Sequence, residues 1–172
     1  LVTTVGKGVI RANDTPNFVA NRIGVFSIAA TMHHTMAFKL GFDEVDALTG
    51  PSIGRPRSAT YRTADVVGLD TLAHVVKTMQ DTLPNDPFAA IYKTPEVLTK
   101  LVAAGALGQK TGAGFYKKVG KEVPRLDFAT GQYEAGGGKA DDLVARILKE
   151  KDPAKRMKAL RDKVSIEFKP NW

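Results

Sequence analysis

Apolar residues run through positions 18–40 with few charges between them. Phe18, Ile23, Phe26, Ala30 and Ala37 recur at helical spacings, which predicts a buried helix from Phe18 to about Leu40. Asp14-Thr15-Pro16 offers a capping residue and a proline for its start, and Gly41 a C-cap for its end. Asp43 to Leu48 reads as a short helix capped by Asp43. Gly50-Pro51 and Gly54-Arg55-Pro56 then make a rigid loop. Two helices follow, Ser58 to Val67 and Leu69 to Leu83, meeting at Gly68. Pro84-Asn85-Asp86-Pro87 is a turn, and Thr94-Pro95-Glu96 opens a helix that stops at Gly105. Residues 105–116 form a glycine-rich loop closing on Phe115 and Tyr116.

This pattern predicts an all-α body over residues 14–118. Residues 1–13 read as an incoming segment, with a turn at Gly6-Lys7-Gly8 and a strand-like piece at Val9-Ile10. Residues 119–172 read as a connector, with glycines at 136–138, leading to charged helices over 139–150 and 153–167. The second of these starts at Asp152-Pro153. Their apolar stripes (Leu143, Ile147, Leu148; Met157, Leu160, Val164) are thin and call for another surface to pack on. The chain begins Leu1-Val2, without an initiator methionine or a signal-peptide pattern, and is expected to be a piece of a longer protein.

Composition narrows the chemistry. Cysteine is absent, which excludes disulfides, thiolate metal sites and cysteine nucleophiles and fits a reducing, cytoplasmic compartment. The net charge is +7, and residues 139–172 carry ten Lys/Arg against six Asp/Glu. The acids are interspersed and no aromatic stacking platform accompanies them, so nucleic acid is not the expected partner. No apolar run reaches the roughly 18 residues of a membrane span.

Few residues carry candidate chemistry. The glycine-rich loop lacks the spacing of a Walker loop and of a dinucleotide fingerprint, and it follows a helix rather than a strand. Tight turns that tuck Phe115 and Tyr116 under the body are the expected role. His33 and His34 point to different helix faces and have no Asp or Glu at i+3 or i+4, and no paired carboxylate in a visible motif marks them or His74 as a metal site or a general base. Asp70 is expected to cap the helix after Gly68, and Asp65 to pair with an arginine or a helix end. Asn21 is the exception. An asparagine one turn into an apolar helix is a poor helix former, and burying its amide unpaired costs roughly 1–3 kcal/mol. With Gly24, Ser27 and Thr31 it makes a small polar stripe. That stripe leaves both helix packing and ligand contact open. Arg22 beside it awaits a carboxylate such as Asp65.

Four motifs, in order and spacing, resemble the C-terminal domain of 3-hydroxyacyl-CoA dehydrogenases. They are Asp14-Thr15-Pro16-Asn17-Phe18-Val19-Ala20-Asn21-Arg22-Ile23, Asp46 with Gly50-Pro51-Ser52-Ile53-Gly54-Arg55-Pro56, Ala64-Asp65-Val66-Val67-Gly68-Leu69-Asp70-Thr71, and Gly108-Gln109-Lys110-Thr111-Gly112-Ala113-Gly114-Phe115-Tyr116. The resemblance covers about residues 6–118. Arg57-Ser58-Ala59-Thr60-Tyr61-Arg62 looks closest to the bacterial multifunctional β-oxidation proteins.

The resemblance implies NAD-dependent oxidation of 3-hydroxyacyl-CoA to 3-oxoacyl-CoA. It places NAD and the catalytic His–Glu pair on an N-terminal Rossmann domain absent from this chain, so the fragment alone is expected to be inactive. It matches the family's catalytic asparagine to Asn21. Where the family has Pro-Gly-Phe, this chain has Pro16-Asn17-Phe18, and asparagine tolerates the positive φ such a turn needs. Residues 119–172 become the link to a second, related helical domain. That domain, or a homodimer partner, is expected to cover an exposed apolar patch. The alternative is a non-catalytic helical dimerisation module in which Asn21 only packs.

Overall fold

The computed structural model describes residues 3–137 and 142–164. Among the described residues there are seven α-helices: α1 Val19–Phe38, α2 Phe42–Thr49, α3 Tyr61–Val67, α4 Leu69–Thr82, α5 Glu96–Ala103, α6 Asp142–Ile147 and α7 Pro153–Val164. A two-stranded antiparallel hairpin, β1 Arg125–Leu126 and β2 Tyr133–Glu134, pairs Arg125 with Glu134 and Leu126 with Tyr133. The expected all-α architecture holds, with this hairpin added.

The core sits where α1, α2, α3, α4 and α5 meet. Phe42, Tyr61 and Phe115 pack ring to ring, with centroids 4.6–5.0 Å apart and tilted or edge-on orientations. Leu69, Leu72, Val76, Val97 and Leu98 fill the space around them. The loop after α5 delivers Phe115, fully buried, and Tyr116, nearly so, as its aromatic ending predicts. Leu126 joins the same core. The hairpin therefore packs on the body, although two-residue strands leave almost no alternation to read.

Several local readings are corrected. The α1 helix forms as predicted, but only Ala29, Met32 and Thr35 are buried, and its first turn is open to solvent. Asp14 and Thr15 do not cap it. Phe18 is the N-cap residue, without a side-chain hydrogen bond. Its C-terminus closes on Lys39 rather than Gly41: Lys39 takes φ +55°, and the Leu40 N–H donates to Thr35 O. Gly41 instead precedes α2, and Asp43 lies inside the first turn of α2 rather than capping it. The Asp43 carboxylate pairs with Arg125 and accepts the Gly137 N–H at 2.9 Å. Val9 and Ile10 form no strand and are exposed.

The break at Gly68 is as expected. Its φ of +95° turns the chain between α3 and α4. The last helix starts at Asp152-Pro153 as predicted, and the Asp152 carboxylate accepts the Ala154 N–H at 2.8 Å. The predicted start and end of the last two helices, at 139–141 and 165–167, lie outside the described residues. So does Gly138 of the predicted glycine linker.

Candidate functional site

The glycine-rich loop spends its backbone donors on the protein itself. Phe115 N–H and Tyr116 N–H each donate to the Asp65 carboxylate at 2.9 Å. Gly108 N–H donates to Ala113 O and Gly114 N–H to Tyr116 O. Leu107 N–H donates to Thr111 Oγ1, and Lys110 pairs with Asp70 at 2.6 Å. Gly108 and Gly114 are glycines because each lies directly against Asp65, where a Cβ would collide. Asp65 is thus the anchor of this loop and pairs with neither an arginine nor a helix end. Asp70 is not the N-cap residue, which is Gly68, but its carboxylate does accept a first-turn N–H of α4, from Thr71 at 2.8 Å, and it also pairs with Lys110. Most of its N–H groups are bonded within the protein and the Asp65 and Asp70 carboxylates stand against it, so the loop is no cradle for a pyrophosphate and its residues do not fit NAD.

A second carboxylate works the same way. Asp46 accepts backbone N–H groups from Thr60, Tyr61 and Arg62 at 3.0, 2.7 and 3.2 Å, and the Tyr116 hydroxyl donates to it at 2.8 Å. It closes the start of α3 from a distance in sequence. Burial pushes the carboxyls of both Asp46 and Asp65 up, against the pull of these donors. Asp65 reaches about 6.

His33 is also structural. Its Nε2 lies 3.1 Å from Ile91 O and 3.0 Å from Lys93 O. Among the described residues, no group of three or more His, Asp or Glu could hold a metal ion.

The entrance of α1 differs. Residues 10–15 run alongside residues 17–23 and leave a groove of about 830 Å³ between them. Asn17 takes φ +65° and turns the chain into Phe18. Asn21 lines the groove, is exposed, and bonds no described residue outside its helix. The expected cost of a buried amide therefore does not arise. Phe18, at 79% exposure, and Ile23, at 66%, flank it. Farther along the stripe, Ser27 Oγ accepts from Arg55, and Thr31 bonds back to Ser27 O.

Arg22 is tied down. Its guanidinium meets Asp86, not Asp65, at 2.8 Å and also donates to Thr15 Oγ1 at 3.3 Å. Neither partner was legible as such: Thr15 reads as a cap and Asp86 as part of a turn. The only available signal was an unassigned aspartate beside two prolines.

Comparison with known proteins adds to this geometry. The family model for the 3-hydroxyacyl-CoA dehydrogenase C-terminal domain matches residues 18–118. A probable 3-hydroxyacyl-CoA dehydrogenase of Bacillus subtilis is 41% identical over 91% of this chain and 20% of its own length. Another, from Deinococcus radiodurans, is 48% identical over 74% of this chain and 36% of its own. The chain thus spans between a fifth and just over a third of these relatives. The crystal structure of M. tuberculosis FadB2 superposes with a TM-score of 0.59 at 31% identity, over 68% of this chain and 39% of that one.

Proposed function

Because this chain belongs to the family of 3-hydroxyacyl-CoA dehydrogenase C-terminal domains, we propose that it supplies the substrate side of an active site that oxidises 3-hydroxyacyl-CoA to 3-oxoacyl-CoA. The observation that carries this reading is Asn21: an exposed amide, held on a helix turn and lining an open groove. As the substrate hydroxyl becomes a carbonyl, its oxygen passes through alkoxide character. A fixed amide N–H beside that oxygen stabilises the developing charge. It also orients the hydroxyl for proton removal. Asn21 is the catalytic residue this chain contributes.

The oxidant of the family is NAD. We assign it, with the catalytic base, to a nucleotide-binding domain outside these residues, in keeping with a glycine-rich loop whose donors are mostly bonded within the protein. The exposed Phe18, Ile23 and Ile10 around Asn21 form the rim on which that domain closes. On this reading, residues 14–118 are the dehydrogenase C-terminal domain, and α6 and α7 open a second, related helical domain that replaces a homodimer partner. No described helix is long and apolar enough to cross a membrane. The lack of cysteine suits the reducing, cytoplasmic setting we propose for the reaction.

The test uses a full-length dehydrogenase carrying this domain. Asn21→Ala is expected to lower kcat by about 100-fold, as loss of one oxyanion donor does, with NAD affinity unchanged. Turnover equal to wild type would remove the catalytic role and leave a dimerisation module.

A further inference from the structure

Arg22 follows Asn21 on α1, a third of a turn around the helix. It grips three separate stretches of chain. Its own turn belongs to α1, where the Arg22 N–H donates to Phe18 O at 2.9 Å. Its Nη2 donates to Asp86 Oδ2 at 2.8 Å in the link between α4 and α5, and its Nη1 donates to Thr15 Oγ1 in the segment before α1. The Asp86 side chain is only 9% exposed. It is held in place from its own side: Oδ1 accepts the Phe88 N–H at 2.8 Å, and its carbonyl accepts the Ala89 N–H at 2.9 Å. The Phe88 ring packs 4.8 Å from Phe26, one turn along α1 from Arg22.

The place of this clamp matters more than its strength. The first turn of α1 has no side-chain cap, so its free N–H groups and exposed apolar residues do little to hold it. Thr15 lines the groove on the side facing α1, and Asn21 lines it from α1 itself. One guanidinium therefore sets both the seat of Asn21 and the wall across from it. A lysine concentrates its donors on one nitrogen at the end of a flexible stem and lacks the rigid planar fork whose two nitrogens serve these two acceptors.

We propose that Arg22 is a positioning residue. Its fork to Asp86 and Thr15 holds the Asn21 amide where the substrate oxygen develops charge. The inference rests on the catalytic reading of Asn21 given above. A purely stabilising ion pair would behave differently, because its loss would lower stability and act the same whether or not Asn21 is present.

A double-mutant cycle in the full-length dehydrogenase separates the two. The variants are Asn21→Ala, Arg22→Lys and the pair together, with kcat, both KM values and the urea midpoint measured for each. Misplacement of a catalytic group costs up to about 100-fold, so Arg22→Lys is expected to lower kcat about tenfold while KM for NAD stays within about twofold. In the Asn21→Ala background the same change is expected to cost less than about twofold, because coupled residues are not additive. Asp86→Asn and Thr15→Val, run through the same cycle, decide the matter if Arg22→Lys fails to fold. Fully additive losses, or wild-type kcat in Arg22→Lys, overturn the inference and leave Asn21 catalytic. Wild-type kcat in Asn21→Ala removes the reading beneath it, and the inference with it.

Discussion

At the junction of α3 with the glycine-rich loop, the Asp65 carboxylate is 4% exposed and receives two backbone N–H groups. At the entrance of α1, the Asn21 amide is exposed and bonds no described residue outside its helix. Both residues sit in the motifs that carry the family resemblance, yet they answer different needs. A buried polar group must be satisfied from within the protein, or its desolvation is lost free energy. A polar group meant for a ligand must be left unsatisfied and still be held in place. The junction spends most of its donors on itself. At the entrance, Arg22 ties the first turn of α1 to Asp86 and Thr15, and the Asn21 amide beside it lines an open groove.

The sharpest way to break this contrast is at Gly108. Its φ is +93°, and a Cβ would lie 2.8 Å from the Asp65 Cα. Backbone cannot move aside as a flexible side chain does. Gly108→Ala is expected to lower unfolding free energy by about 4 kcal/mol or more, read from urea denaturation. A loss under about 1 kcal/mol would mean that the junction is more pliable than its packing shows.

A smaller effect lies in the acidity of Asp65. Burial pushes this carboxyl up to about 6, above its ordinary value of 3.8. The folded state therefore keeps the proton to higher pH than the unfolded chain does. The stability linked to this group is full below about pH 4 and falls away as pH rises through 6. Between pH 7 and pH 4 the wild type is expected to gain up to about 3 kcal/mol over Asp65→Asn, which has nothing to titrate there. Asp46 shifts in the same direction from the same cause and is common to both proteins. A wild-type-minus-variant difference that stays flat across this range rejects the linkage.

The smallest effect belongs to the entrance. Asn21→Ala replaces an exposed, poor helix former with the best one, and is expected to raise stability by about 0.5 kcal/mol in thermal or urea unfolding. Set beside the expected fall in turnover, that gain would mark Asn21 as kept for chemistry. A clear loss of stability would return it to a packing role.

Legibility in the sequence followed the range of the interactions. The five body helices, the break at Gly68 and the burial of Phe115 and Tyr116 rest on local periodicity and turn residues, and they read correctly. The errors cluster at polar side chains with several local uses. Thr15, Asp43 and Asp70 each stand where a cap belongs, but Thr15 bonds Arg22, Asp43 reaches Arg125 and Gly137, and Asp70 adds distant Lys110 to the Thr71 N–H it accepts. Asp65 and Arg22 were known to need partners, but those partners lie 50 and 64 positions away. Nothing local specifies such pairings. At the candidate site, Asn21 was singled out as unusual by its residue type, while its role came from the resemblance. Its exposure follows from α1 projecting past the core, which periodicity alone could not reveal.

Tyr116 joins both buried carboxylates, giving its N–H to Asp65 and its hydroxyl to Asp46 across 51 and 70 positions. Neither contact can form until a long stretch of chain has closed, and loop closure of that length is an entropic barrier that local helices do not share. The helices can therefore flicker in and out early. The arrival of Tyr116 is therefore expected to come late in folding and to couple the melting of α2, α3 and the loop. A ribosome would have to release the chain well beyond this residue before the domain could lock.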